Sequence, residues 1–106
     1  MNHEGEQAVF AALADPTRRS VLRAVAAGEA CTATELAAQL PISRQAVAKH
    51  LAQLEQAQLV DARRAGRETR FEATPAPLGD AIAWMTQVGA QWDARLAALA
   101  EAVRRD

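Results

Sequence analysis

The residues Ser43-Arg44-Gln45-Ala46-Val47-Ala48-Lys49-His50-Leu51 place side chains able to pair with nucleic acid at helical spacing around an apolar stripe. On a helical wheel, Val47, Leu51 and Leu54 cluster on one face as a core stripe. Gln45, Lys49, Ala52 and Gln56 lie opposite, with Arg44 at the exposed N-terminal edge. Glutamine can pair bidentately with adenine, arginine or lysine with guanine, and an alanine methyl such as that of Ala46 can meet a thymine methyl. Ser43, at a helix start, suits a phosphate. His50 reads as a backbone contact or a hydrogen bonder on the helix surface. By itself this helix is equally an ordinary amphipathic one with a solvated polar face. A second concentration of charge follows in Arg63-Arg64-Ala65-Gly66-Arg67-Glu68-Thr69-Arg70, four arginines around a glycine. Alone, that run is a solubilising turn or a basic arm for a minor groove or its flanking backbone. The two together define a candidate surface for double-stranded DNA made of Ser43, Arg44, Gln45, Ala46, Lys49, His50, Arg63, Arg64, Arg67 and Arg70.

The elements that must carry these residues are legible in turn. Residues 1–7 are polar and read as a frayed end. Val9, Phe10 and Leu13 predict a short first helix from about Glu4 to Ala14. Asp15-Pro16 is a helix start, an acceptor for exposed amides followed by a proline suited to the first helical position. The second helix runs to about Ala27, with Val21, Leu22 and Val25 inward, and Gly28 stops it. Thr32 and Glu35 fit a capping box for a short helix from Ala33 to Gln39, with Leu36 and Leu40 inward. Pro41-Ile42 forms a turn, and Ser43 caps the next helix, which runs to about Gln56. Leu59 to Arg63 and Arg67 to Ala73 read as a hairpin around Ala65-Gly66. The prolines of Thr74-Pro75-Ala76-Pro77 end the second strand. A last helix spans about Leu78 to Arg104. Its Leu78, Ile82, Met85, Gly89, Trp92, Leu96, Leu99 and Val103 recur at alternating spacings of four and three, a heptad seam. The predicted fold class is mainly α with a small β-hairpin. It forms a single domain over residues 1–106, with a helix-turn-helix at 33–56, a wing at 59–73 and a dimerisation helix at 78–104.

These segments resemble small winged helix-turn-helix repressors of the ArsR type, in the branch that usually lacks the metal sites. The resemblance rests on Ala12-Leu13-Ala14-Asp15-Pro16-Thr17-Arg18-Arg19, Glu35-Leu36-Ala37, the Ser43–Leu51 run, Leu54-Glu55-Gln56-Ala57-Gln58-Leu59-Val60 and Gly66-Arg67. It covers roughly residues 8–100. Gln58 departs from the family, which very often has glycine before the Leu-Val pair. The resemblance implies a homodimer built from the first and last helices and bound to a palindromic operator. The heptad seam supports pairing independently, because so much apolar surface on one helix needs a cover. The expected interface is Val9, Phe10, Ile82, Met85, Trp92, Leu96 and Leu99, with some of these touching the protomer's own core. Arg18 and Arg19 belong to the Asp-Pro-Thr-Arg run and read equally as structural ion pairs or phosphate contacts.

Composition bounds the alternatives. The chain has 106 residues and a formal net charge of −1, which alone does not suggest nucleic acid. Residues 43–70, however, carry six basic against three acidic residues, a local +3, while both flanks are acidic. Local charge is what a phosphate backbone meets. Large apolar residues are few among many alanines, so the monomer core is modest and oligomerisation is expected. A single cysteine, no secretory pattern at the start and no membrane-length apolar run point to a cytoplasmic protein. Metal-sensing relatives often carry Cys-X-Cys where Thr32 and Thr34 stand, and the last helix holds no histidine, so no metal and no cofactor are expected. Cys31 is a small semi-buried residue or, if its position near a helix start lowers its pKa, a thiol handle. No arrangement of residues suggests an enzyme. The alternatives to a promoter-occluding repressor are a winged-helix module for a protein partner and a repressor answering a thiol or small-molecule signal through Cys31.

Overall fold

The computed structural model describes residues 3–105 in the order α1 (His3–Leu13), α2 (Pro16–Ala26), α3 (Ala33–Ala37), α4 (Arg44–Gln56), β1 (Val60–Ala65), β2 (Glu68–Ala73) and α5 (Ala76–Arg105). The expected winged helix-turn-helix is present. Helix α1 begins at His3, so residues 3–7 are helical rather than frayed, and any fraying of Met1 and Asn2 falls outside the described residues.

Helices α1 and α2 are joined by one polar knot. Asp15 caps α2, its Oδ1 accepting from the amides of Thr17 at 2.8 Å and Arg18 at 3.3 Å. The Arg18 guanidinium lies 3.8 Å from Asp15 Oδ2 and donates to the carbonyls of Ala11 and Ala12, while Arg19 donates to that of Leu13 at 2.6 Å. Both arginines thus serve the carbonyls that a helix leaves open at its C-terminus. Of the two readings of these residues, the structure places them in the ion-pair and capping role.

Helix α3 is shorter than expected. After Ala37 the amide of Gln39 bonds to the carbonyl of Leu36, a tightened turn, because Leu40 precedes Pro41 and is disfavoured from helical backbone. Its capping box is complete: Thr32 Oγ1 accepts from the Glu35 amide at 3.1 Å, and Glu35 Oε1 accepts from the Thr32 amide at 2.9 Å. Ser43 caps α4 by accepting from the Ala46 amide at 3.1 Å. Val47, Leu51 and Leu54 are fully buried, as the wheel requires. They meet Val21, Leu22 and Val25 of α2, Leu36 of α3, Val9 and Ala12 of α1, and Leu59 and Val60 beyond α4 in one core. Each such side chain contributes about 1.5–3 kcal/mol. Leu40 and Ile42, expected inward, are half-buried against its edge.

Helix α4 ends in a Schellman motif, with the Leu59 amide bonded to the Leu54 carbonyl and the Gln58 amide to that of Glu55. Gln58 sits at φ 62, the left-handed conformation that this motif imposes and that glycine adopts without strain. The strands pair antiparallel from Val60 opposite Ala73 to Ala65 opposite Glu68, so Gly66 and Arg67 form the two-residue tip, with Gly66 at φ 65. The tip is one residue further on than the expected Ala65-Gly66. Cys31 adds a single-residue bridge to Phe71, with hydrogen bonds of 3.0 and 2.7 Å, which tethers the wing to the segment before α3.

Helix α5 starts two residues earlier than expected. Pro75 supplies the carbonyl for its first hydrogen bond, and Pro77 fits in the first turn, where amides have no helical partner anyway. Only Ala81 of α5 is buried, with Leu78 packed beside it. Beyond the contact of Trp84 with α1 the helix projects away, giving extents of 70 × 29 × 21 Å. Val9 is 1% exposed and belongs to the protomer core, which corrects its expected place in a dimer seam. The amphipathic pattern of α1 marks an apolar face, and here that face is filled by the protomer's own helices. Phe10 is half-buried and packs on Trp84, ring centroids 5.5 Å apart at 58°. No described helix is long and apolar enough to cross a membrane.

Candidate nucleic-acid interface

The exposed face of α4 carries Gln45 and Lys49 opposite the buried stripe, with Arg44 exposed at the helix's N-terminal edge. Gln45 and Lys49 reach solvent and make no ion pair among the described residues. Arg44 is exposed but oriented: its Nε donates to Thr34 Oγ1 at 2.9 Å, which ties the first turn of α4 to α3. Ala46 is half-buried. Ser43 is exposed, and its hydroxyl oxygen is engaged in capping. His50 is half-buried with its Nδ1 enclosed and without a hydrogen-bond partner, on the side of α4 toward the cap of α2. Desolvation works to raise the Asp15 carboxyl, yet the amides of Arg18 and Thr17, with the charges of His50 and Arg18, hold it below the ordinary carboxylate range.

The wing arginines divide by what they touch. Arg64 and Arg67 are exposed and make no ion pair among the described residues. Arg63 is exposed and 3.4 Å from Glu72 across the strands, a pair that solvent weakens. Arg70 is occupied: it donates to the carbonyl of Ala30 at 3.1 Å, to Glu35 at 3.3 Å and to Glu68 at 3.0 Å. Between the wing and the start of α3 and α4 lies an open polar groove of about 660 Å³, which Arg44, Arg64, Arg67 and Arg70 all line. The fold therefore brings arginines of two segments, distant in sequence, onto one groove.

Thr32 and Thr34, at the positions where metal-sensing relatives carry cysteines, are employed in capping α3 and in holding Arg44. Burial pushes the Cys31 thiol up, the Glu35 carboxylate adds to this, and Arg70 opposes it. That direction is opposite to the lowering expected from a helix start, and it leaves a protonated, poorly nucleophilic thiol. Sequence reasoning missed the Glu35–Arg70 contact and the Cys31–Phe71 bridge, since partners so far apart in the chain leave no local pattern.

A family model described as a helix-turn-helix domain matches residues 13–63, the segment that spans α2 to β1. The transcriptional repressor SdpR of Bacillus subtilis is 35% identical over 77 residues, which cover 73% of this chain and 84% of that protein. The structure of an ArsR-like transcriptional regulator from Rhodococcus sp. RHA1 is 41% identical and superposes with a TM-score of 0.80 over 92% of this chain and 91% of that one. The chain belongs to the ArsR-like family of winged helix-turn-helix transcriptional regulators. As such it is a DNA-binding regulator of transcription. A homodimeric winged helix-turn-helix DNA-binding domain from Mycobacterium bovis, 22% identical, shares the fold with a TM-score of 0.65 over 83% of this chain and 81% of that one. In this ArsR-like regulator α4 is the second helix of the helix-turn-helix and β1–β2 form the wing.

Proposed function

We propose that this regulator is a cytoplasmic homodimeric repressor that occludes a promoter at a palindromic operator. The observation that carries the reading is the groove that Arg44, at the start of α4, shares with the exposed Arg64 and Arg67 of the wing, with Gln45 and Lys49 exposed further along the same helix. In this reading the N-terminal half of α4 enters a major groove. Gln45, Arg44 and Lys49 read or flank bases, Ala46 and His50 approach from the edge, and Ser43 with Arg63, Arg64 and Arg67 anchors the phosphates. Arg70 is held by the protein's own groups and takes a different part.

The dimer is supported by α5. Ile82, Met85, Trp92, Leu96, Leu99 and Val103 are all exposed, at heptad spacing, on a helix whose second half, residues 91–105, is exposed throughout. An isolated helical segment of this size is marginal in water, and packing a seam against a second copy supplies what it lacks. A twofold pair presents two copies of α4 to successive major grooves about 34 Å apart. The repressor named among the relatives and the homodimeric neighbour agree with both halves of the reading.

A mobility-shift experiment with genomic fragments that include the protein's own promoter tests it. Retarded bands on a small subset of fragments, competed poorly by bulk DNA, are expected. Equal retardation of all fragments, or none, would reject an operator-binding repressor.

A further inference from the structure

Arg70 lines the groove beside α4, yet among the described residues every hydrogen bond and ion pair of its guanidinium is made with the protein's own carbonyl and carboxylates. Its Nη1 donates to the Ala30 carbonyl before α3 and to Glu35 Oε1, and its Nη2 donates to Glu68 Oε2 on the same strand. The oxygen it takes on Glu35 is the one that closes the capping box of α3 by accepting from the Thr32 amide. One residue earlier in the same short helix, Thr34 accepts from Arg44 of α4. A continuous polar chain therefore runs from the wing through Arg70 and Glu35 to α3, and through Thr34 and Arg44 to the start of α4. The Cys31–Phe71 bridge and the packing of Phe71 and Ala73 on the core also seat the wing, and this chain is the polar part of that attachment.

We propose that Arg70 is a positioning residue, which locks the wing to α3 and so fixes the distance between the free wing arginines and the base-facing side of α4. It does not itself neutralise a phosphate. The chemistry favours this division. A guanidinium already held between two carboxylates and a carbonyl has much of its donor set spent. A phosphate approaching it would also meet Glu35 and Glu68, two negative charges on the wall of the groove. Arg64 and Arg67 carry no such neighbours among the described ion pairs and remain the anchoring charges. DNA affinity then depends on Arg70 through geometry, and the number of counterions released does not.

This inference rests on the reading of the chain as a DNA-binding regulator, and its test separates the two. The glutamine variants E35Q and E68Q are combined with each other and compared with R70Q and R64A in the full chain. Glutamine at position 35 still completes a capping box, so α3 keeps its start. Binding is measured against salt on a duplex that the wild-type chain selects from a random pool, and amide exchange of β1 and β2 is followed without DNA. For a clamp, the E35Q/E68Q double variant binds more weakly although it removes negative charge from the groove. R70Q weakens binding about tenfold with the salt slope unchanged, whereas R64A flattens the slope by about 0.9. Wing amides exchange faster in R70Q while those of α4 do not. Tighter binding by the double variant, a slope lowered by R70Q, or unaltered wing exchange would each overturn the proposal. If the wild-type chain selects no duplex, the functional reading fails, and wing exchange alone decides the clamp.

Discussion

Gln45 and Gln58 are the same residue type under opposite demands. Gln45 stands on an exposed helical face where its amide has no internal duty, so its replacement acts on recognition. Gln45→Ala should relax preference at one position per half-site at a cost of about 1–3 kcal/mol, read by comparing the sequences each protein selects. An unchanged preference would remove Gln45 from base reading. Gln58 is held at φ 62 by the end of α4, a conformation in which a side chain is strained. Gln58→Gly should raise stability by about 1 kcal/mol in urea denaturation and leave DNA selection untouched; a loss of stability would show that its side chain makes a compensating contact. Glu35 gives a third residue-scale expectation. The amide and hydroxyl of Thr32 hold its carboxyl below the ordinary range, with Arg70 assisting. A carboxyl lowered in the folded state contributes stability that is full above its unfolded value and is lost as pH falls through its folded one. An NMR titration should therefore place the Glu35 midpoint below 4.5, and Arg70→Gln should move it upward. Gln58 was legible as a departure from the family pattern, whereas the Glu35–Arg70 contact was not. Nothing in either residue's neighbourhood specifies a partner 35 positions away.

At the scale of elements, what was readable follows from locality. Asp15-Pro16, Thr32 with Glu35, and Ser43 announced three helix starts because a cap and its amides lie within one turn. The stripe of Val47, Leu51 and Leu54 announced which side of α4 faces inward, and with it which side faces out. The strands were harder. Their composition is poor in β-branched residues, and the tip was displaced by one residue because cross-strand pairing, rather than glycine position alone, sets the turn. The prolines before α5 were read as a break when they also serve as a start. The exposed Arg64 and Arg67 make the wing an electrostatic arm, so removing both should weaken binding to all sequences alike. The double variant Arg64→Ala with Arg67→Ala should lower the salt slope by about 2, at roughly 0.9 per contact. A loss confined to particular sequences would assign the wing to base reading instead.

At the scale of the molecule, the shape is the informative quantity. A compact chain of this length has a radius of gyration of about 13 Å, and this one measures 18.7 Å. The excess is α5, whose first turns hold to the core through Leu78 and Ala81 while Trp92, Leu96 and Leu99 stand in solvent. The heptad seam was plain in the sequence, but periodicity reports that a face is apolar without saying whose surface covers it. The resemblance to dimers built from first and last helices put Val9 in the interface, yet it lies in the protomer core, while the seam of α5 is left open within one protomer. Trp92→Asp places a charge in the middle of that seam and should yield monomers in analytical ultracentrifugation with the fold of residues 3–81 retained; a persisting dimer would move the interface elsewhere. The dimer and the recognition surface meet in one quantity, the symmetry of the DNA bound. Selection of duplexes from a fully random pool by the wild-type chain, followed by sequencing, reads it directly. The account predicts an enriched inverted repeat whose half-site centres lie one helical turn, about 34 Å, apart. Enrichment of an asymmetric single site, or of no sequence, would contradict it.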